Sequence, residues 1–259
     1  MKPELNLSGR HESSTHMNIK DLKFAAKVHY SFLPHRFSND WLDIAVIARP
    51  FDTIGGDFCS IVPIDERHLV LCVCDAVGHG VASALYAARI NTFVLSYTLR
   101  RANPCQLITS LNGFLCQQLS HAGMYASFFI IFIDCDKMEF QYAGAAHPPA
   151  LHLAIKNREI ARLESQTTLL GIEDPMPVYC PLKKRSIAVG DKILLYTDGL
   201  SEARNRVGEE FGDRRLLDYM KASCELDSTA FSEGLLAQVR RYGDHEIKDD
   251  VLIMCVDVV

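Results

Sequence analysis

Apolar and polar positions along the chain change period several times, and each change marks an element. From Ile19 to Leu33 apolar residues recur at Ile19, Leu22, Phe24, Ala25, Val28 and Phe32, close to helical spacing, and Pro34 stops the run. Strand patterns follow at Ile44–Ala48, at Phe58–Pro63 after a Gly55-Gly56 turn, and at Leu69–Cys74, a continuous apolar run of the kind a buried strand carries. Gly80–Leu99 reads as a helix, rich in alanine with few breakers, and Cys105–Leu119 as a second. Three strands in meander order are predicted near Ala126–Ile133, Met138–Ala143 and Ala150–Leu153, then another over Asp191–Thr197. Helices near Arg215–Ala222 and Thr229–Tyr242 lead to a last strand, Val251–Val258. Strands in groups and helices in pairs, without strict alternation, predict an α+β fold of antiparallel sheets with helices packed outside them.

No repeat and no Ser/Gly- or Pro-rich linker divides residues 40–259. The expected organisation is a polar tail over 1–18, a linker or regulatory helix over 19–36 and one catalytic domain over 37–259. The helix would serve as a cap on the core or as the end of a signalling linker.

Composition narrows the function classes. Of 259 residues 48% are hydrophobic and 23% charged, enough for a sizeable core. A formal net charge of -5 is a poor footprint for a general nucleic-acid binder. The longest apolar stretches, Leu69–Cys74 and Phe128–Ile133, fall far short of the roughly 18–20 residues of a membrane-spanning helix. The N-terminal residues lack a signal-peptide core. Nine cysteines, an odd number without a C-x-x-C pair and partly inside apolar runs, read as free thiols in a reducing cytoplasm.

The candidate chemistry lies in carboxylates. Four places join an aspartate to a tight turn or strand end: Gly55-Gly56-Asp57, Asp75-Ala76-Val77-Gly78-His79-Gly80, Thr197-Asp198-Gly199 and Asp249-Asp250. Each alone has an ordinary explanation: Asp-Gly after a strand is a common turn, and Asp75 or Asp249 could cap a helix or sit in a loop. Gathered together they would repel, and some would stay protonated unless a cation intervened. Oxygen-only ligands point to Mg²⁺ or Mn²⁺ rather than zinc. Two such ions about 3.5–4 Å apart can activate a water and clamp phosphoryl oxygens, hydrolysing a phosphate ester without a protein nucleophile.

These segments, with Tyr196-Thr197-Asp198-Gly199-Leu200-x-Glu202-Ala203-Arg204-Asn205, Leu33-Pro34, Arg49-Pro50, Ala145-x-His147-Pro148-Pro149 and Gly208-x-x-Phe211-Gly212, resemble the PPM-type metal-dependent protein phosphatases, nearest to the SpoIIE/RsbU-like branch. The resemblance spans roughly residues 25–259 in order. It implies a sandwich of two antiparallel sheets flanked by helix pairs and a serine/threonine phosphatase holding two divalent cations, Mn²⁺ or Mg²⁺. By the same resemblance Asp57 would bridge both ions and the Ala76 carbonyl would complete one coordination sphere. Asp198 and Asp249, preferred over Asp250, would hold the other ion, and Asp75 would be a further ligand or outer group. The implied substrate is a phosphorylated STAS-domain anti-sigma-factor antagonist, within partner-switching signalling. Residues 19–33 would meet a sensor or a second copy, with Leu22, Ala25, Val28 and Phe32 as the docking face. The alternatives are a phosphoprotein-binding module without turnover and a metallohydrolase of small phosphate esters. Two departures stand out: Gly144 and Ala146 replace the Asn and Gly of the family's Asn-Ala-Gly-His pattern. His79 and His147 are read either as general acids or as loop histidines, and Arg49 as a phosphate contact or a surface residue.

Overall fold

The computed structural model describes residues 19–98, 103–119, 123–176, 180–244 and 247–259; the expected tail over 1–18 lies outside them. A short helix α1 (Ile19–Tyr30) leads into β1 (Arg36–Ser38), β2 (Leu42–Arg49), β3 (Phe58–Pro63) and β4 (His68–Ala76). Two helices follow, α2 (Val81–Thr98) and α3 (Pro104–Leu119), then two hairpins, β5 (Ala126–Asp134) with β6 (Glu139–Ala145) and β7 (Ala150–Ala154) with β8 (Glu159–Leu163). The expected three-strand meander breaks after β6, because the chain crosses to the other sheet at the Pro148-Pro149 turn and β7 does not pair with β6. The chain continues through β9 (Lys183–Ser186), β10 (Lys192–Tyr196), α4 (Asp198–Ser201), α5 (Gly212–Ala222), α6 (Ser228–Tyr242) and β11 (Val251–Val258).

The strands form two sheets, one of six in the order β1-β2-β11-β10-β7-β8 and one of five in the order β3-β4-β5-β6-β9. Every pairing between these strands is antiparallel. Alternate residues of an antiparallel strand face opposite sides, so both sheets can be apolar on both faces only if each is covered twice. That is what happens. Val70, Cys72, Phe128 and Ile130 belong to a core that also takes in Leu42, Ile44, Met254 and Val256 and the α2 and α3 residues Ile90, Val94, Leu107 and Leu111. A second core sits under α5 and α6, where Leu216, Met220, Phe231 and Leu235 meet Leu194, Tyr196, Ile253 and Cys255. The layering is helix, sheet, sheet, helix: the α+β sandwich that the sequence pattern predicts.

Four elements escape the apolar pattern. β1 (Arg-Phe-Ser) and β8 (Glu-Ile-Ala-Arg-Leu) lie at the two edges of the six-stranded sheet, and β9 (Lys-Lys-Arg-Ser) at an edge of the other. Charged, short edge strands blunt the template that an open edge offers to other chains, which is why they carry no hydrophobic signature. α4 is a single turn of four residues, too short for any periodicity.

Candidate active site

Topology gathers the aspartates. Asp57 immediately precedes β3 and Asp75 lies at the end of β4; these antiparallel neighbours pair Phe58 with Cys74, which puts the two carboxylates at the same end of the five-stranded sheet. Asp198 follows β10 and the Asp249-Asp250 pair precedes β11, again antiparallel neighbours, so they share one end of the six-stranded sheet. Asp57 feels the charge of Asp75, and both feel the charges of Asp198 and Asp250 across the sheets; Asp75 also feels Asp249.

Glycines make this convergence possible. A Cβ on Gly56 would stand 2.6 Å from the Ala76 carbonyl oxygen, and one on Gly199 would stand 2.1 Å from the Asp250 carbonyl oxygen and 3.1 Å from the Asp249 Cβ. These are backbone collisions that no rotamer change relieves, so the four loops close on one another only because those side chains are absent.

The two residues of the terminal pair differ in role. Asp250 is buried, and its carboxylate accepts hydrogen bonds from the Phe51 amide (2.8 Å) and the Gly56 amide (2.8 Å), clasping both ends of the loop before Asp57. Asp249 is exposed; its Oδ1 accepts from the Asp250 amide (2.8 Å), leaving the rest of the carboxylate toward solvent. Thr197 is fully buried: its hydroxyl accepts from the Leu252 amide (2.9 Å) and bonds the Asp57 carboxylate. From α1, the Tyr30 hydroxyl accepts from the Gly55 amide (3.1 Å). Sequence reading passed over Asp250, Thr197 and Tyr30 as positioning groups, because their partners are backbone amides or carboxylates far away along the chain.

The electrostatics are those of a site awaiting positive charge. Burial first, then the Asp75 charge, raises the Asp57 carboxyl well above the carboxylate range. Burial, with Asp198 and Asp249, raises Asp75 to about 7. Burial and Asp249 also raise Asp198. Asp57 Oδ2 is buried without a hydrogen-bond partner, one of three such side-chain atoms among the described residues. A buried, unpartnered carboxylate oxygen is costly, and a hard divalent cation is the group that an all-oxygen donor set of this kind accommodates. The donors present therefore fit divalent metal.

Other candidates resolve differently. His147 is buried, with Nδ1 2.7 Å from the Ser127 hydroxyl and Nε2 3.1 Å from the Tyr196 carbonyl oxygen. The carbonyl can only accept, so Nε2 carries the proton and Nδ1 accepts from Ser127. The ring is a neutral strut joining β5 to β10, with both nitrogens engaged. His79 is exposed between Gly78 and Gly80, which adopt φ values of 81° and 86°. A Cβ at Gly144 would lie 2.5 Å from Ser165 Oγ and 2.7 Å from Phe129 Cδ2, so no Asn fits there, and Ala146 takes the left-handed φ of 49° where a glycine would be unstrained. A separate group of metal-ligand types, His68, Asp134 and Asp136, lies at the opposite end of β4 and β5, where Arg67 pairs with Asp136 and Lys137 with Asp134.

Comparison with known proteins agrees with this geometry. The sequence matches Stage II sporulation protein E (SpoIIE) over residues 65–259. It is 28% identical to phosphoserine phosphatase RsbU of Bacillus subtilis over 189 residues, covering 73% of this chain and 55% of RsbU. The chain thus spans about half the length of the curated relatives it matches. Its fold is similar to the SiaA-PP2C domain of Pseudomonas aeruginosa, with a TM-score of 0.77 at 21% identity over 93% of this chain and 96% of that one. It is also similar to the catalytic domain of serine threonine protein phosphatase PstP in complex with two manganese ions, with a TM-score of 0.60 at 16% identity over 85% and 99% of the two chains. With the motifs, the sandwich and the converging aspartates in agreement, the chain belongs to the SpoIIE family.

Proposed function

We propose that this chain is a metal-dependent phosphatase of phosphoserine or phosphothreonine in proteins, and the observation that carries the reading is the buried, unpartnered Asp57 oxygen amid carboxylates pushed toward protonation. Asp57, Asp198 and Asp249 would hold two divalent cations, Mn²⁺ or Mg²⁺, with the Ala76 carbonyl and Asp75 completing the set. When bound, such ions supply the charge that clamps phosphoryl oxygens and acidifies a water. The chain's own residues arrange the rest. Asp250 and Tyr30 fix the loop that aims Asp57, Thr197 orients the Asp57 carboxylate, and Gly56 and Gly199 bring the loops within reach. Asp249, exposed at the rim, leaves the site open to a substrate as large as a protein.

The substrate class we infer is a phosphorylated STAS-domain antagonist in a partner-switching pathway, supported by the likeness to RsbU, itself named a phosphoserine phosphatase. Input would reach the site through residues 19–33. Leu22 and Ala25 of the expected docking face are half-buried, packed against a small cluster formed by Ala26, Ile54 and Ala84. Val28 and Phe32 remain exposed, as does Phe24; Phe24 and Val28 share one face of α1 and Phe32 follows in the turn after it, open to a sensor or a second copy. No helix among the described residues is long and apolar enough to cross a membrane.

The test compares phosphate release from a phosphorylated STAS protein with that from p-nitrophenyl phosphate, both in Mn²⁺. A kcat/KM at least about a hundredfold higher on the protein, corresponding to roughly 2.7 kcal/mol of added transition-state binding, supports the reading. Equal values would favour a small-ester hydrolase, and binding of the phosphoprotein without release would favour a non-catalytic module.

A further inference from the structure

A trough lies beside the aspartates. One depression of about 470 Å³ is lined by Arg49, Pro50, Phe51, Arg240 and Lys248 and reaches Asp249. A second, of about 460 Å³, shares Lys248 and Asp249 and continues on the far side past Arg204 and Arg206. The cations on the two sides differ. Arg204 is paired with Glu210 and Arg206 with Asp244. Arg49, Arg240 and Lys248 are all exposed, and none has an acidic partner among the described residues; Arg49 donates only to the neighbouring Ala48 carbonyl (3.0 Å).

Three cations without an acidic partner among the described residues, at the rim of an acidic centre on a chain of net charge -5, run against the average of the molecule. They come from three separate segments, the end of β2, the end of α6 and the loop before β11, so the fold rather than a local charge run gathers them. Between them the floor is apolar, with Pro50 and with Phe51 at 53% exposure. A cationic wall over an apolar floor is built for an extended segment that carries acidic side chains and at least one apolar one. Because Asp249 lines both depressions, anything bound along them is adjacent to the carboxylate centre.

We propose that Arg49, Arg240 and Lys248 form a substrate-docking subsite that takes aspartate or glutamate side chains flanking the phosphorylated residue. This deepens the phosphatase reading and rests on it for the placement of the phosphorylated residue, but binding in the trough is measurable without turnover. The cations offset the repulsion that the acidic centre exerts on an acidic segment, and at low ionic strength they steer it toward the site.

The experiment measures fluorescence anisotropy of two labelled, unphosphorylated serine peptides in Mn²⁺, identical except that one has Glu and Asp around the serine and the other Gln and Asn. The wild-type chain should bind the acidic peptide about tenfold more tightly, the combined worth of two or three exposed ion pairs. Arg240→Gln/Lys248→Gln should bring the two affinities together with unchanged melting, and raising salt should narrow the wild-type difference. No preference in the wild type, or a preference that survives in the double variant, overturns the proposal. Phosphate release from the phosphorylated peptides is read separately: its loss with intact binding preference would count against the phosphatase reading and leave the subsite standing.

Discussion

At the scale of single residues, position relative to backbone amides decides which acid does what. Asp249 and Asp250 are chemically identical neighbours, yet one faces solvent and the other spends both oxygens on loop amides. Replacing Asp250 by alanine leaves the Phe51 and Gly56 amides without their acceptor, at about 1–3 kcal/mol for each buried donor left unpaired. We expect Asp250→Ala to lower stability by about 2–4 kcal/mol in denaturant melts and to weaken Mn²⁺ binding measured by calorimetry. Asp250→Asn, which retains one acceptor oxygen, should lose roughly half as much. An Asp250→Ala variant with wild-type melting and metal affinity would show that the clasp does not hold the loop. The aspartates themselves were legible in the sequence because each stands at the end of an apolar strand, Asp57 and Asp198 with a glycine beside them. The clasp was not, because Asp250 and Gly56 are 194 positions apart and only the closed fold brings them together.

At the scale of elements, long apolar runs announced themselves and polar edges did not. β4, β5 and β11 are nearly continuous hydrophobic segments, and their predicted bounds lie within two residues of the observed ones. β8 pairs with β7 and β9 with β6 through backbone hydrogen bonds that leave no trace in side-chain period. His147 illustrates the same limit: the motif marks it, but its strut between β5 and β10 depends on sheet packing. Its burial carries a pH signature. Desolvation lowers its pKa to about 3, and desolvation likewise lowers that of His152. The His147 ring is therefore neutral when folded, whereas the unfolded chain protonates it below about 6.5. The unfolded state then binds more protons, so stability falls as pH drops from about 6.5 toward 3. His147 alone should cost about 2 kcal/mol between pH 7 and 5, at about 1.36 kcal/mol per unit. The crowded carboxylates work in the opposite sense in metal-free protein, since their raised pKa values favour the folded state on acidification. The informative quantity is thus the difference between wild type and His147→Gln. The variant's stability should fall less steeply over that window in denaturant melts, and equal slopes would contradict a neutral buried ring.

At the scale of the molecule, the sandwich works as a frame with one open end. Each sheet contributes two adjacent antiparallel strand ends: pairing sets Asp57 beside Asp75 and Asp198 beside the Asp249-Asp250 pair, and the packing of one sheet on the other brings Asp57 within the field of Asp198 and Asp250. The same end receives α1 through Tyr30 and borders the cationic trough, so the proposed input, docking and chemistry would share one face. In the proposed function the acidic cluster holds divalent cations that promote hydrolysis of a phosphoserine ester, and the most direct test is phosphate release from a phosphoserine peptide as Mn²⁺ is titrated, with wild type and Asp57→Ala side by side. Wild-type rate should rise saturably with Mn²⁺ and fall to background in chelator. Asp57→Ala should remain about a thousandfold or more below it, a loss of roughly 4 kcal/mol of transition-state stabilisation, while its metal-free melting temperature equals or slightly exceeds that of wild type because one buried carboxylate is gone. Wild-type turnover that persists in chelator, or an Asp57→Ala variant that matches it, would contradict the account.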